Sequence, residues 1–159
     1  MSRYNPALVM LHWVSACMII IQLTLGDIIS PSAHIIAGVL IGVLTALRLS
    51  IKLQSTNPLY PEVGSDFLNR LAQMAHHTIY GLVFAVLLSG IGLAVEIDLP
   101  FSQDSGEPDA ENNSKLLIHS VHQLLTDALI FIVCLHVLAA LFHQFIRKDR
   151  LFSRMWFGR

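Results

Sequence analysis

Histidines are the residues of this chain that are best suited to chemistry. There are eight of them, in a chain that is 54% hydrophobic, and most lie within or beside long apolar stretches. An imidazole in hydrocarbon is unfavourable unless a metal or a hydrogen-bonding partner satisfies it, so these residues indicate a functional site. The eight are His12, His34, His76, His77, His119, His122, His136 and His143.

One spacing among the histidines is informative. His136 follows His122 by fourteen residues. In an α-helix this is nearly four turns, so both rings share a face and lie about 21 Å apart along the axis. Such a separation suits two cofactors that are stacked across a bilayer.

The elements that must position these rings are membrane helices. Only 13% of the residues are charged, and the mean hydropathy is +0.62. Four apolar stretches are long enough to span a bilayer, approximately 7–29, 33–53, 71–95 and 116–146. We therefore predict an all-α fold, an integral membrane four-helix bundle that forms a single domain over residues 1–159.

The charged residues predict the orientation of this bundle. Nine of the ten Lys and Arg residues lie at the N-terminus, around the second connection or in the C-terminal tail, and only Lys115 lies on the other side. The positive-inside rule then places both termini in the cytoplasm. The segment 96–115 becomes an irregular outer loop that carries six carboxylates.

Alternating helix directions give each histidine a depth. His12 and His136 fall near the cytoplasmic side, and His34 and His122 fall near the outer side. Each pair offers two imidazoles from facing helices, an arrangement that binds a haem iron on both sides and favours electron transfer over oxygen binding. Gly38 and the residue one turn later, Gly42, would leave room for a flat macrocycle or permit a close helix contact.

A different class of function remains open on spacing alone. A permease could line a proton or divalent-metal path with histidines. Metal sites usually also recruit carboxylates or thiols, and the spans contain only Asp27 and Asp127, which favours haem. Asp127 is a candidate to bond a ligand imidazole or carry protons, or is a polar residue near the interface.

Several residues together resemble one known family. They include Tyr4, the His12-Trp13 pair, His34 with Arg48 fourteen residues later, His77-Thr-Ile-Tyr80, the last-span histidines His122, His136 and His143, and the tail residues Lys148-Asp149 and Arg154-Met155. In this ordered set the chain resembles the bacterial di-haem cytochrome b561 family over almost its whole length.

The resemblance implies cofactors and ligands. The iron ligands would be His12 with His136 at the inner haem and His34 with His122 at the outer one. Both cofactors would be non-covalent haem b, and the protein would exchange electrons with ubiquinone or a similar quinone in the bacterial inner membrane. At least one member of the family is described as a superoxide oxidase.

The other polar residues near the inner haem have two open interpretations. His77, Tyr80 and His143 are candidates to bind a quinone headgroup, or to contact haem propionates. Arg48 is placed to pair with an inner propionate. His76 has no counterpart that we can assign and is expected at the interface, and His119 is an alternative to His122 if the helix register differs.

The expected function is transfer of single electrons between an outer-side partner and the quinone pool. No catalytic residue is assigned, and nucleic acid is not an expected partner. Superoxide oxidation is the first alternative, and a membrane anchor whose haems serve a separate dehydrogenase is another. The acidic outer loop would repel superoxide, but it could dock a basic periplasmic redox protein.

Overall fold

A computed structural model describes residues 5–26, 28–54, 66–98 and 108–148. These residues form four long helices and no strand, which confirms the all-helical prediction. In chain order the helices are α1 (Pro6–Leu25), α2 (Pro31–Gln54), α3 (Asp66–Asp98) and α4 (Pro108–Leu141), and a π-helical turn (Phe142–Ile146) continues α4. Predictions that concern Tyr4, Asp27, Asp149, Arg154 and Met155 lie outside the described residues.

All four described helices are long and apolar enough to cross a membrane. Their apolar side chains largely point outward: Ile36 and Leu88 are each 68% exposed. Outward-facing aliphatic side chains in every helix suit a bundle whose solvent is lipid. The prediction of four spanning segments is therefore confirmed, while the orientation of the termini stays a prediction.

The first span ends earlier than the hydropathy predicts. Asn5 caps the start of α1, where its side-chain oxygen accepts a hydrogen bond from the Ala7 backbone N–H at 2.9 Å. The helix ends at Leu25 rather than near residue 29. Ser30 then begins the next helix, because its hydroxyl oxygen accepts from the backbone N–H of Ala33 at 3.3 Å. The apolar residues 28 and 29 belong to the turn between these two caps.

The helices pack around a small apolar centre. The most extensive contact is between α3 and α4, and α2 packs against both α1 and α3. The buried centre consists of Ile41, Val83 and Leu129, one from each of α2, α3 and α4. This centre lies between the depths of the two predicted histidine pairs, since Leu129 is midway between His122 and His136 on α4.

The two glycines of α2 differ in what surrounds them. A Cβ atom at Gly42 would run into the side chain of Leu87, so this glycine allows α2 and α3 to approach closely. At Gly38 the nearest atom to an added Cβ is Nε2 of Gln22, at 4.0 Å. Gly42 therefore has the helix-contact role, and the open space lies beside Gly38.

The last helix ends in a widened turn. The backbone N–H of Arg147 donates to the carbonyl oxygen of Phe142, five residues earlier, at 3.1 Å. Lys148 then has a φ of 57°, the left-handed conformation that ends helices. His143 lies within the widened turn, and turns of this kind are frequent at functional sites.

Candidate functional site

His12 and His136, the pair predicted for the inner side and called the inner pair below, meet between α1 and α4. The ring centroids of His12 and His136 are 6.5 Å apart, and their planes are inclined by 74°. The indole ring of Trp13 lies 5.4 Å from the His12 ring in an edge-to-face contact. Both imidazoles are half-buried, so this end of the bundle holds two neighbouring imidazoles that are partly shielded from their surroundings.

The outer pair repeats this geometry between α2 and α4. The ring centroids of His34 and His122 are 6.4 Å apart, with planes inclined by 70°. The two pairs are thus separated along α4 by the fourteen residues between His122 and His136. The structure brings together the two pairs that the depth argument matched, and their role as metal ligands stays a prediction.

The spacing within each pair fits a metal held between two imidazoles. A metal–imidazole bond is about 2.0–2.1 Å long, and a ring nitrogen lies about 1.1 Å from its ring centre, so two opposed ligands place their centroids about 6.3 Å apart. The observed separations of 6.5 and 6.4 Å match this value. Four imidazoles in two close pairs are also a donor set that suits a haem iron.

Two side chains form hydrogen bonds with the backbone carbonyl oxygens of the outer pair. The amide of Gln22 on α1 donates to the carbonyl oxygen of His34 at 2.9 Å. On α4, the hydroxyl of Thr126 donates to the carbonyl oxygen of His122 at 2.8 Å. These bonds tie α1 to the start of α2 and fix the turn of α4 that carries the second ring. Sequence reasoning missed both residues, because neither belongs to a recognisable motif.

A fifth histidine joins the inner pair. The ring of His76 on α3 lies 5.0 Å from the ring of His136, at 81°. Its Nδ1 is 2.7 Å from the carbonyl oxygen of Ala72. Since a carbonyl only accepts, Nδ1 carries the proton and, in the neutral ring, Nε2 is a bare acceptor. The sequence predicts His76 at the interface. His76 lies instead beside the inner pair.

The neighbouring His77 is exposed on α3. Successive residues of a helix point about 100° apart, so only one of two adjacent histidines can face the bundle. In the structure His76 points into the bundle and His77 points away from it. A role for His77 at a quinone stays a prediction, and its exposed position does not favour that role.

A cationic cluster lies next to the inner pair. Arg48 and Lys52, one turn apart on α2, place their charged ends 5.6 and 5.4 Å from the ring centre of Tyr80 on α3. Tyr80 is only 6% exposed, and its hydroxyl has no hydrogen-bond partner among the described residues. Two cations and a buried hydroxyl suit an anionic or carbonyl-bearing ligand. Lys52 was not foreseen, because basic residues at helix ends usually only reach towards headgroups.

The remaining candidates lie away from the paired rings. His143 is half-buried, and its ring packs edge-on against Phe142 at 5.9 Å. His119 and Asp127 are exposed on α4, whereas His122 is half-buried against His34. The helix register of α4 thus favours His122 over His119 as the partner of His34.

A permease would need other metal-binding groups. Among the described residues, no group of three or more His, Cys, Asp or Glu side chains is arranged to hold a metal ion.

Comparison with known proteins identifies the family. The family model described as prokaryotic cytochrome b561 matches residues 3–158. The chain belongs to the prokaryotic cytochrome b561 family. It is a multi-pass bacterial membrane protein of electron transfer, and membership implies binding of haem b.

Similar proteins cover nearly the whole chain. Cytochrome b561 homolog 1 of Escherichia coli (strain K12) is 26% identical over 98% of this chain and 97% of its own length. A probable superoxide oxidase, CybB, of Yersinia pestis is 25% identical over 96% of this chain and 95% of its own. Cytochrome b562 of Cereibacter sphaeroides is 21% identical over 96% of this chain. No solved structure matches the chain.

Proposed function

We propose that this cytochrome carries two haems b and moves single electrons between an outer-side redox partner and the quinone pool of the bacterial inner membrane. The observation that carries the proposal is the pair of imidazole separations, 6.5 Å for His12 with His136 and 6.4 Å for His34 with His122. Each pair would hold one haem iron, which would supply one-electron chemistry.

The protein's own contribution is to hold the four imidazoles at two depths. Both pairs share α4, where rings fourteen residues apart are about 21 Å apart along the axis. The helix thereby fixes the distance between the two sites regardless of loop conformation. Partners on opposite sides of the membrane would each reach the nearer site.

The quinone is proposed to bind at the inner end, beside Tyr80. The Tyr80 hydroxyl is buried without a partner among the described residues, and a quinone carbonyl oxygen would accept its proton in a hydrogen bond. Arg48, which lies over the same ring, is proposed to pair with a propionate of the inner haem. His143, near the end of α4, remains a candidate to carry a proton between this site and water.

Single ligand substitutions test the two-haem proposal. His136→Ala is expected to remove the inner haem and keep the outer one, and His122→Ala is expected to do the reverse. A pyridine haemochrome assay and reduced-minus-oxidised spectra of the detergent-purified protein measure both. The exposed His119 provides a matched control, because His119→Ala should retain two haems. Full haem content in both ligand variants would refute the pairing.

Superoxide oxidation is a second candidate, favoured by the 25% identity to the protein named as a probable superoxide oxidase. Two superoxide ions would each give one electron at the outer site and leave as O2. The two electrons, with two protons, would reduce one ubiquinone to ubiquinol at the inner site. Rapid mixing of the purified, oxidised protein with superoxide distinguishes the candidates. Haem reduction that is blocked by superoxide dismutase would support the oxidase. If superoxide does not reduce the haem, the protein would instead exchange electrons with a protein partner.

A further inference from the structure

The outer ligand His122 has a hydrogen-bond partner on a neighbouring helix. The Ser89 hydroxyl on α3 lies 2.9 Å from Nδ1 of His122. The same hydroxyl also lies 2.9 Å from the backbone carbonyl oxygen of Val86, to which it donates. A serine hydroxyl has one proton, and a carbonyl can only accept. With its proton given to Val86, the Ser89 oxygen accepts from His122, whose ring N–H is also a hydrogen-bond neighbour of the Val86 carbonyl. Both neighbours are acceptors, so Nδ1 of His122 carries the proton.

This assignment decides which nitrogen of His122 is available. In a neutral imidazole with a proton on Nδ1, Nε2 is the bare acceptor. Metal-binding histidines characteristically donate their other N–H to a nearby acceptor, which fixes the tautomer and raises the donor strength of the ligating nitrogen. Ser89 and His122 reproduce this arrangement within the described part of the chain.

The opposite ligand has no such partner. Nδ1 of His34 is buried and has no hydrogen-bond partner among the described residues. The edge of this ring packs against the backbone of Gly26, where an added Cβ would lie 3.1 Å from both Nδ1 and Cε1. The two ligands of the outer pair are therefore unequal, and His122 is the one whose basicity its surroundings raise.

We propose that Ser89 is a positioning residue for the outer haem, which fixes the tautomer of His122 and lowers the reduction potential of that haem. The inference rests on the proposed two-haem function and deepens it. A stronger imidazole donor favours ferric over ferrous iron, because the higher positive charge gains more from the donated electron density. Ser89 thereby sets how readily the outer site gives up an electron.

The test uses the His136→Ala protein as its parent, so that the optical signal comes from the outer haem alone. Ser89→Ala in this parent is expected to weaken haem retention about tenfold. It should also shift the one-electron equilibrium towards ferrous iron by up to about tenfold, a rise of about 59 mV in midpoint potential. Redox titration and the electron paramagnetic resonance spectrum of the ferric haem report these changes without any measurement of activity.

Two further variants separate the hydrogen bond from its surroundings. Ser89→Thr keeps the hydroxyl and should keep the parent's midpoint, even if Ser89→Ala loses the haem altogether. Ser120→Ala removes an exposed hydroxyl that bonds only within α4, to the carbonyl oxygen of Leu116, and should match the parent.

Specific results would overturn the inference. It fails if the outer haem of Ser89→Ala keeps the parent's midpoint and spectrum, or if Ser89→Thr shifts as far as Ser89→Ala. Both outcomes would leave the two-haem proposal intact. Absence of any haem from the His136→Ala parent would instead overturn the two-site proposal, and the inference with it.

Discussion

A single methyl group at Gly90 is expected to expel or loosen the outer haem. An added Cβ at this position would lie 3.0 Å from Cε1 and 3.5 Å from Nδ1 of His122. Carbon atoms are normally separated by about 3.5–4.0 Å, so the ring must move by a few tenths of an ångström. The 2.9 Å bond between Ser89 and His122 would then lengthen towards the usual limit of about 3.2 Å.

The expected loss of haem affinity follows from the weakened hydrogen bond of the His122 ring. Disturbing a partner of a metal-bound imidazole lowers metal-site affinity by about 10–100-fold. Gly90→Ala should therefore reduce the outer haem content while the inner haem is retained. Haem stoichiometry, and the rate at which excess apomyoglobin withdraws haem from the purified protein, measure this loss.

Gly92→Ala is the matched control, since it makes the same change on the same helix where nothing lies within 4 Å of the added Cβ. Both substitutions replace glycine by alanine in a helix, which by itself favours the helix by about 0.8–1.0 kcal/mol. A difference between them isolates the contact with His122. Equal haem content and equal release rates in both variants would refute the reasoning.

Three other predictions follow from the structure. Tyr80→Phe should raise the KM for a quinone about 2–10-fold, the value of one neutral hydrogen bond. Its thermal stability should not fall, because the hydroxyl has no partner among the described residues and an unpartnered buried hydroxyl does not stabilise the fold. An unchanged KM would remove this residue from the quinone site. Gly42→Ala should lower the unfolding free energy by about 1 kcal/mol net, measured by thermal unfolding in detergent. The flexible end of Leu87 must turn away from the new methyl group, and this overpacking, about 1–3 kcal/mol, outweighs the gain of about 0.8–1.0 kcal/mol from alanine in a helix. The six carboxylates of segment 96–115 should make outer-haem reduction by superoxide faster as salt is added and reduction by a basic redox protein slower; stopped-flow rates at several ionic strengths give the sign for each donor.

The depth of each histidine along its helix could be predicted from the sequence. The face of each helix that points into the bundle could not. Spans long enough to cross the membrane and the fourteen-residue spacing on α4 determine which histidines lie level with one another. In a soluble bundle, a polar face would also reveal which side of each helix turns outward. Here lipid and interior are both apolar, so the pattern of α3 does not distinguish His76 from His77. The structure was needed to show that His76 faces the inner pair.

The side chains that contact the paired histidines and pack around them could not be predicted from the sequence either. Ser89 lies in an apolar stretch of α3, and a serine there is usually satisfied by its own helix, as its bond to Val86 also shows. Only the packing of α3 against α4 brings its oxygen to His122. In the same way, the spacing of Gly38 and Gly42 allowed two roles, and the side chain of Leu87 decides between them.

The widened turn at Phe142–Ile146 has a consequence for how this family tolerates insertions and deletions. The alignment with the Escherichia coli relative runs over 171 positions, more than the 159 residues of this chain, so the two sequences differ by gaps. One residue gained between His122 and His136 would rotate every later side chain by about 100° and destroy a ligand pair. A widened turn absorbs one extra residue locally, and here it follows His136, the last of the four paired histidines. Length changes are therefore expected in the connections and beyond residue 141, where they leave the spacing between His122 and His136 unchanged.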